Sequence, residues 1–354
     1  MTQAGAFTRP GIFSKEVEVL RFFRTYFLPR ILIYFLVIVV GVTIVFVIPR
    51  LLPMDPIQQM IGQITSTGAY LDPKAMNYMI ETLKELYGLK GSLWEQYWSF
   101  WKRLFRGDFG PSYFQFPVPV ISLIRQSLPW TLGLLLTTTL VSWILGNVLG
   151  ALGGYFPQKS WAKILDVISM VIRPMPYYVL ALSLLLLFAY FIPVFPLGGG
   201  FLIGGRIRFD LRSILILLKH AFLPAMSLIL LGVFLWFQAM KLVVQSVKNE
   251  DFVSYAKLGG LSQSKIVRRY VMRNAMLPQI TGLALSLGQI FSGALITEIV
   301  FSYPGLGTLL YNAIFTGDYN LLMGIMSMSI FVITTSILVI DLLYPIFDPR
   351  VRYR

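Results

Sequence analysis

Six stretches of this chain are so long and so uniformly apolar that they leave it few folds to choose from. They are residues 31–48, 131–152, 167–192, 214–240, 276–301 and 321–344. A helix needs about 20 mostly apolar residues to cross the hydrocarbon core of a bilayer. Inside lipid every backbone N–H and C=O must find a partner within the protein, which in runs of this length means helix. The expected fold class is therefore an all-α membrane protein. Composition agrees: of 354 residues 56% are hydrophobic and 13% charged, where a soluble domain carries about 25% charged residues.

The polar residues limit the chemistry. There are no cysteines and one histidine, His220, which excludes disulfides and Cys-based metal sites and leaves little for His-dependent catalysis. The net charge of +14 is explained without nucleic acid if Lys and Arg collect on one side of a membrane. With the N-terminus inside, the inner segments hold 17 Lys/Arg and the longer outer segments 11. The largest share, seven, lies in the short segment 241–275. Both termini are thus expected in the cytoplasm of an inner-membrane protein.

The expected organisation is an N-terminal segment 1–30, a first span 31–48, an external helical segment 49–127, a core 128–347 and a tail 348–354. Before the first span, "SKEVEVLRFFRTYFLPR" mixes cations with Phe, Leu and Val, as a helix lying in the membrane interface does. The run at 31–48 is followed by "PRLLPMDP", without a small-residue cleavage site, and reads as a retained span. In the external segment two helices flank "GLKGS". Trp94, Tyr97, Trp98, Trp101 and Phe105 of the second recur at helical spacing. Such rings suit a helix packed on the bilayer surface or on the spans, and in a sharper reading a sugar platform.

A polar excursion, "DFVSYAKLGGLSQSKIVRRYVMRNAMLP" at 251–278, interrupts the apolar runs. Asn249 is placed to cap a helix whose first turn holds Glu250 and Asp251, acids suited to the positive end of the helix dipole. Gly259 and Gly260 end it after Leu258. Ser262 is placed to cap a second helix through Met272, and Pro278 falls in the first turns of the next span. Two short helices joined by a glycine turn are expected, with Ala256 and the glycines leaving room for a partner surface. The chain contains no GxxxxGK[ST] phosphate loop and no Gly-Lys pair, so any ATP is used elsewhere.

This excursion resembles the cytoplasmic loop of binding-protein-dependent ABC transporter permeases, best the peptide/nickel (oligopeptide/dipeptide) group. It has Asp251, Phe252, Ala256, Gly260 and "RNAMLP" at 273–278. Leu258 replaces the usual second alanine, and Ser254 and Tyr255 stand where other groups have the glutamate and first alanine. "LPMDP" at 52–56, with Asp55 and Pro56, is similar to that group's PGDP, Met54 replacing the glycine. "LYGL" at 86–89, "QYW" at 96–98, "GDFGPS" at 107–112, with Gly107 and Asp108, and "HAFLP" at 220–224, with Pro224, resemble it in order. So do "EIVFSYPGLGTLL" at 298–310 and "DLLYPIFDPRVR" at 341–352. The residues before about 20 fall outside the match.

The resemblance implies a type I ABC importer permease: six transmembrane helices, an N-terminal interfacial helix and a cytoplasmic coupling helix. Its partners would be a second homologous permease, two cytoplasmic ATPases that use ATP and Mg, an external substrate-binding protein and membrane lipid. No cofactor belongs to this chain, and it is no enzyme. The ATPase-coupling residues would be Asp251, Phe252, Tyr255, Ala256, Leu258, Gly259, Gly260, Leu261 and Ser262. Arg173, Tyr177, Glu298 and Phe301 are the candidates for the path or gate. Charges inside spans are costly and are functional or paired: Arg173 either lines the path, faces a watery vestibule or pairs with Asp166, and Glu298 is an outer-gate or packing residue. Lys219 and His220, near the outer end of the fourth span, are structural. Asp341 and Asp348 are expected to pair with Arg350 or Arg352, and Pro304, Gly305 and Gly307 to form an outer turn in which the glycines supply unusual backbone angles.

Two other classes remain. A gradient-driven transporter or channel would show inverted repeats or a proton relay, and neither is visible. A membrane-embedded enzyme would need clustered catalytic groups. For the importer, peptide is the first substrate class, with oligosaccharide and nickel chelates as alternatives.

Overall fold

The computed structural model describes residues 23–51, 57, 61–62, 72–201, 210–290 and 294–347, and these form helices and turns without a β-sheet. A π-helical turn, Phe23–Phe27, leads into α1 (Leu28–Leu51). The segment between the first span and the core, expected to be external, folds as α2 (Pro73–Leu86) and α3 (Leu93–Phe105) around Gly88 and Gly91. The core follows with α4 (Val120–Tyr155), α5 (Ser160–Ile172), α6 (Tyr177–Leu185, prolonged by a π-helical stretch Leu186–Phe191) and α7 (Leu211–Val247). Next come α8 (Asp251–Leu258) and α9 (Gln263–Lys265), which passes through the π-helical turn Ile266–Val271 into α10 (Met272–Gln289). The chain closes with α11 (Leu295–Val300), α12 (Leu306–Phe315) and α13 (Tyr319–Phe347). The interfacial helix expected before residue 23, Asp55, Pro56, Asp348, Arg350 and Arg352 lie outside the described residues.

Among the described residues α1, α4, α7 and α13 are each long and apolar enough to cross a membrane. The third expected span is not one rod: α5 and α6 are bent by 101° at the break 173–176. Pro174 and Pro176 explain it, because each lacks an N–H and disfavours helix at the residue before it. The fifth expected span, 276–301, also departs from expectation. Its helix begins earlier, at Gln263, ends at Gln289, and hands residues 295–300 to the separate α11.

The most extensive helix contact is α4 against α7, and its cause is legible in "GNVLGALGG". Gly146, Gly150 and Gly154 lie one helical turn apart on the same face. A Cβ at Gly146 would stand 2.7 Å from the Val233 carbonyl oxygen, one at Gly154 2.8 Å from that of Lys241, and one at Gly150 would strike that of Phe237. Small residues at such spacing let helix backbones meet where apolar burial gives no net drive, as in lipid.

The helices run between two ends, α4 parallel to α7, since Gly146, Gly150 and Gly154 meet Val233, Phe237 and Lys241 in the same order, and α1 antiparallel to α13. At one, Val120 and Ile124 of α4 pack with Leu306 of α12 and Leu321 of α13. At the other, Tyr155 of α4 and Val244 of α7 pack with Val253 of α8 and Ile266. These are called the α12 end and the α8 end. The pair α1 and α13 spans the same distance: Val45 meets Tyr319 and Met323 near the α12 end, and Arg30 forms an ion pair with Asp341 towards the other. Among the described residues the Asp341 partner is Arg30, with Tyr26 donating its hydroxyl to the Asp341 carbonyl at 2.5 Å; the expected pairing with Arg350 or Arg352 falls outside them. Asp166 pairs not with Arg173 but with Lys241 of α7, at 2.5 Å.

Candidate functional site

At the α12 end two buried acids organise the backbone. Glu298 of α11 has no exposed surface. One carboxylate oxygen accepts from the Thr131 hydroxyl at 2.6 Å, the other from the backbone N–H of Gly307 at 2.6 Å and Thr308 at 3.2 Å. Thr131 in turn accepts from the N–H of Leu306 at 2.8 Å. The first N–H groups of α12, which no helix can satisfy internally, are therefore taken by an acid from another helix, at the end where negative charge is favoured. This corrects the reading of the glycines. Gly305 has ordinary extended angles (φ −92°, ψ −175°); it is glycine because a Cβ there would collide with the Glu298 carboxyl group. Gly307 is confined by the same carboxylate and by the Leu295 backbone. The residue with positive φ in this turn is Ser302 (49°). Pro304 lies in the same turn.

The second acid, Asp318, was not singled out in the sequence. It too is fully buried. It accepts from the Ser112 hydroxyl, from Tyr113 N at 2.8 Å and Phe114 N at 3.2 Å, and with its other oxygen from Leu321 N at 3.0 Å. It thereby caps α13 and pins the "GDFGPS" turn to it. The signal was a short polar residue after Gly317 and just before an apolar run. In that turn Gly107 takes φ +69° after the last residue of α3, and Asp108 accepts from Gly110 N at 2.9 Å and pairs with Arg103 at 3.5 Å. Burial, with Asp318 beside it, pushes the Tyr87 phenol up to about 12 and raises the Tyr113 phenol as well, so both remain neutral donors at physiological pH.

The path candidates separate. Tyr177, first residue of α6, shares its hydroxyl with Ser227 of α7 at 2.8 Å and Thr297 of α11 at 2.5 Å, which locks the bent α5–α6 pair to its neighbours. Phe301 is buried with Ala181 and Leu223. Phe301 and Glu298 are thus packing elements with no surface for a solute to touch. Arg173 stands exposed at the bend and has no ion pair among the described residues. His220 donates its Nδ1–H to the Ile216 carbonyl one turn back, at 2.8 Å, and Pro224 is buried within α7, a structural role for both.

At the α8 end the polar excursion folds into an elbow. The residue before α8 is Glu250, not Asn249, and no side chain caps it. Gly259 and Gly260 end α8 as expected. Gly260 takes φ +70°, and a Cβ there would meet nothing within 4 Å, so backbone conformation and not space demands glycine. Ser262 opens the next helix without a side-chain bond. That helix does not stop at Met272 but runs on to Gln289 with Pro278 inside it. The elbow is therefore one short helix hinged on a long one.

The two faces of α8 differ. Val253 and Ala256 are buried against Met240, Val244, Tyr155, Ile266 and Val271. Ala256, expected to face a partner, faces this core. Lys248 fastens the base by donating to the Tyr155 carbonyl at 2.8 Å. On the other face Phe252, Tyr255 and Leu258 are exposed by 38%, 72% and 83%, beside exposed Asp251, Gly259, Gly260 and Ser262, with Leu261 half-buried. No cluster of three His, Asp or Glu suited to a metal ion occurs among the described residues.

Comparison with known proteins gives the same picture. Residues 146–353 match the family described as the binding-protein-dependent transport system inner membrane component. The oligopeptide transport system permease protein OppB of Haemophilus influenzae is 32% identical over 88% of this chain and 94% of its own length. The oligopeptide transport system permease protein AppB of Bacillus subtilis is 28% identical over 89% and 96%. The dipeptide transport system permease protein DppB of Lactococcus lactis is 28% identical over 92% and 99%. With more than half of its residues matched by that family, from the glycine seam of α4 to the end of α13, the chain belongs to the inner membrane components of binding-protein-dependent transport systems.

Proposed function

We propose that this protein is one of two membrane-spanning subunits of an ATP-driven peptide importer, with the α8 end in the cytoplasm. The observation that carries the reading is the elbow. A short helix roots Val253 and Ala256 in the ends of α4, α7 and α10 and turns Phe252, Tyr255 and Leu258 outward. Exposed large apolar residues on a rigid base are what a docking partner covers. A partner ATPase that moves α8 would move the three helices it is rooted in, which couples nucleotide chemistry absent from this chain to the path between subunits. The excess of Lys and Arg in 241–275 favours the cytoplasmic side for this end.

Peptide as the substrate class rests on the relatives' names, which are those of oligopeptide and dipeptide permeases. The oligosaccharide reading has no comparable support, and neither has the gradient-driven one. The test is isolation of the tagged chain from its own membranes under mild detergent. Two ATPase subunits and a second permease should accompany it, and peptide uptake should require ATP. A chain that arrives alone and transports without nucleotide would overturn the proposal. Arg173 is the exposed path candidate: in an assembled complex Arg173→Ala should impair peptide uptake, and unchanged uptake removes it from the path.

A further inference from the structure

Helix α3 has more apolar surface than the protein covers. Its circumference divides into four arcs. Tyr97, Trp101 and Leu104 pack against Ile38 and Val42 of α1 and Ile330 and Phe331 of α13. Gln96 and Arg103 lie on the opposite side of that row; Gln96 accepts from Arg50 at 3.3 Å, and Arg103 donates to the Leu86 carbonyl at 3.4 Å. Between the packed row and exposed Glu95, Lys102 and Arg106 runs a third arc, Trp94, Trp98 and Phe105, exposed by 67%, 50% and 75%. By helical spacing this arc adjoins the packed row directly.

The depth of that row identifies what covers the arc. Ile38 and Val42 lie well inside α1, itself a span, and Tyr97 shares a hydrogen with Thr43 at 2.8 Å. Rings beside this row therefore stand alongside the apolar length of α1, whose own Val39, Val40, Ile44 and Val47 are exposed. A water-soluble partner does not reach this depth, whereas lipid does. Trp prefers the zone where acyl chains meet headgroups, and Lys102 and Arg106 at the edge of the arc suit phosphates. We infer that α3 is a membrane anchor whose Trp94, Trp98 and Phe105 are covered by lipid, from the headgroup boundary at its Trp94 end, near Arg50, to the acyl chains at its Phe105 end, on the side of the membrane away from α8. This surface fixes the depth at which the external segment and the start of α4 stand. It also leaves no aromatic platform for a soluble ligand.

The chain has no cysteine, so single cysteines at 94, 98, 105, 95 and 102 can be spin-labelled in the assembled complex in phospholipid nanodiscs. Labels at 94, 98 and 105 should be reached by oxygen in preference to a water-soluble nickel chelate, and labels at 95 and 102 by the chelate. Chelate access at 94, 98 and 105 would overturn the inference by placing them in water. Protection from both reagents would overturn it by placing them under a protein subunit. A second measurement leaves Cys out: dibrominated phospholipid should quench the native protein's tryptophan fluorescence more strongly than that of the Trp94→Phe, Trp98→Phe double variant. Equal quenching would count against lipid contact.

Discussion

The two ends of the bundle solve the same problem, the polar termini of helices, in opposite ways. At the α12 end the chain satisfies itself: Glu298 and Asp318 are buried, and each takes a hydroxyl from an element far away in sequence together with backbone N–H groups. At the α8 end, neither α8 nor α9 has a side-chain cap, and large apolar side chains remain outside. One end ties its helix starts together with buried acids, and the other leaves the starts of its helices without side-chain caps. The difference predicts that substitutions at the α12 end act on stability, whereas those on the outer face of α8 act on assembly and leave the fold alone.

The largest effect is expected at Glu298. Glu298→Ala leaves Gly307 N, Thr308 N and the Thr131 hydroxyl without their acceptor in a buried place. A lost hydrogen bond to a charged group costs about 1.5–3 kcal/mol and an unsatisfied buried group about 1–3, so a loss of about 3 kcal/mol or more is expected, read as a lowered thermal midpoint in detergent. Glu298→Gln keeps an acceptor and should lose less. A midpoint unmoved by Glu298→Ala would break the comparison at its firmer side. Next comes Gly150→Leu in α4, whose side chain meets the Phe237 backbone. Overpacking costs about 1–3 kcal/mol, and α4 and α7 should separate enough to expose the buried Phe237 to proteolysis or dye binding.

What the sequence disclosed follows the same division. The apolar runs of α1, α4, α7 and α13 are legible because length and hydropathy are local properties, and the elbow is legible because Gly259 and Gly260 interrupt a helical pattern. The bend at 173–176 was written in Pro174 and Pro176, but a proline pair gives a kink without its size. The acid networks were not legible, since Glu298 meets Thr131 167 residues away and Asp318 meets Ser112 206 residues away. The same blindness misassigned Gly305, whose neighbour is a carboxylate and not its own dihedral angles, and Ala256, whose buried side depends on where α4 and α7 end. The Arg30–Asp341 pair was not legible either, because the two residues lie 311 positions apart.

A smaller effect is expected at Gly260. Its φ of +70° costs an ordinary residue about 1–2 kcal/mol, and no neighbour obstructs a side chain. Gly260→Val should therefore leave the protein in the membrane while altering the angle between α8 and α10. Peptide uptake should fall while ATP hydrolysis by the complex continues, and uptake equal to the native level would remove the hinge from the mechanism.

The smallest effect on stability is expected from two strongly exposed side chains of α8, and it sharpens the comparison most. Tyr255 and Leu258 are 72% and 83% exposed and contribute nothing to the core that Val253 and Ala256 enter. Replacing both with Asp should move the thermal midpoint of the isolated chain by no more than an ordinary surface change, about 0.5 kcal/mol. If α8 docks on an ATPase, two buried unpaired carboxylates would be introduced at that contact, a change that costs several kcal/mol. The ATPases should then no longer accompany the tagged chain, although the second permease should. Substituting Val253→Asp reverses the pattern, because its side chain faces the core and the fold itself should fail. Retention of the ATPases by the Tyr255→Asp, Leu258→Asp variant would show that the outward face of α8 is not where they bind, and the two ends would then differ in exposure alone.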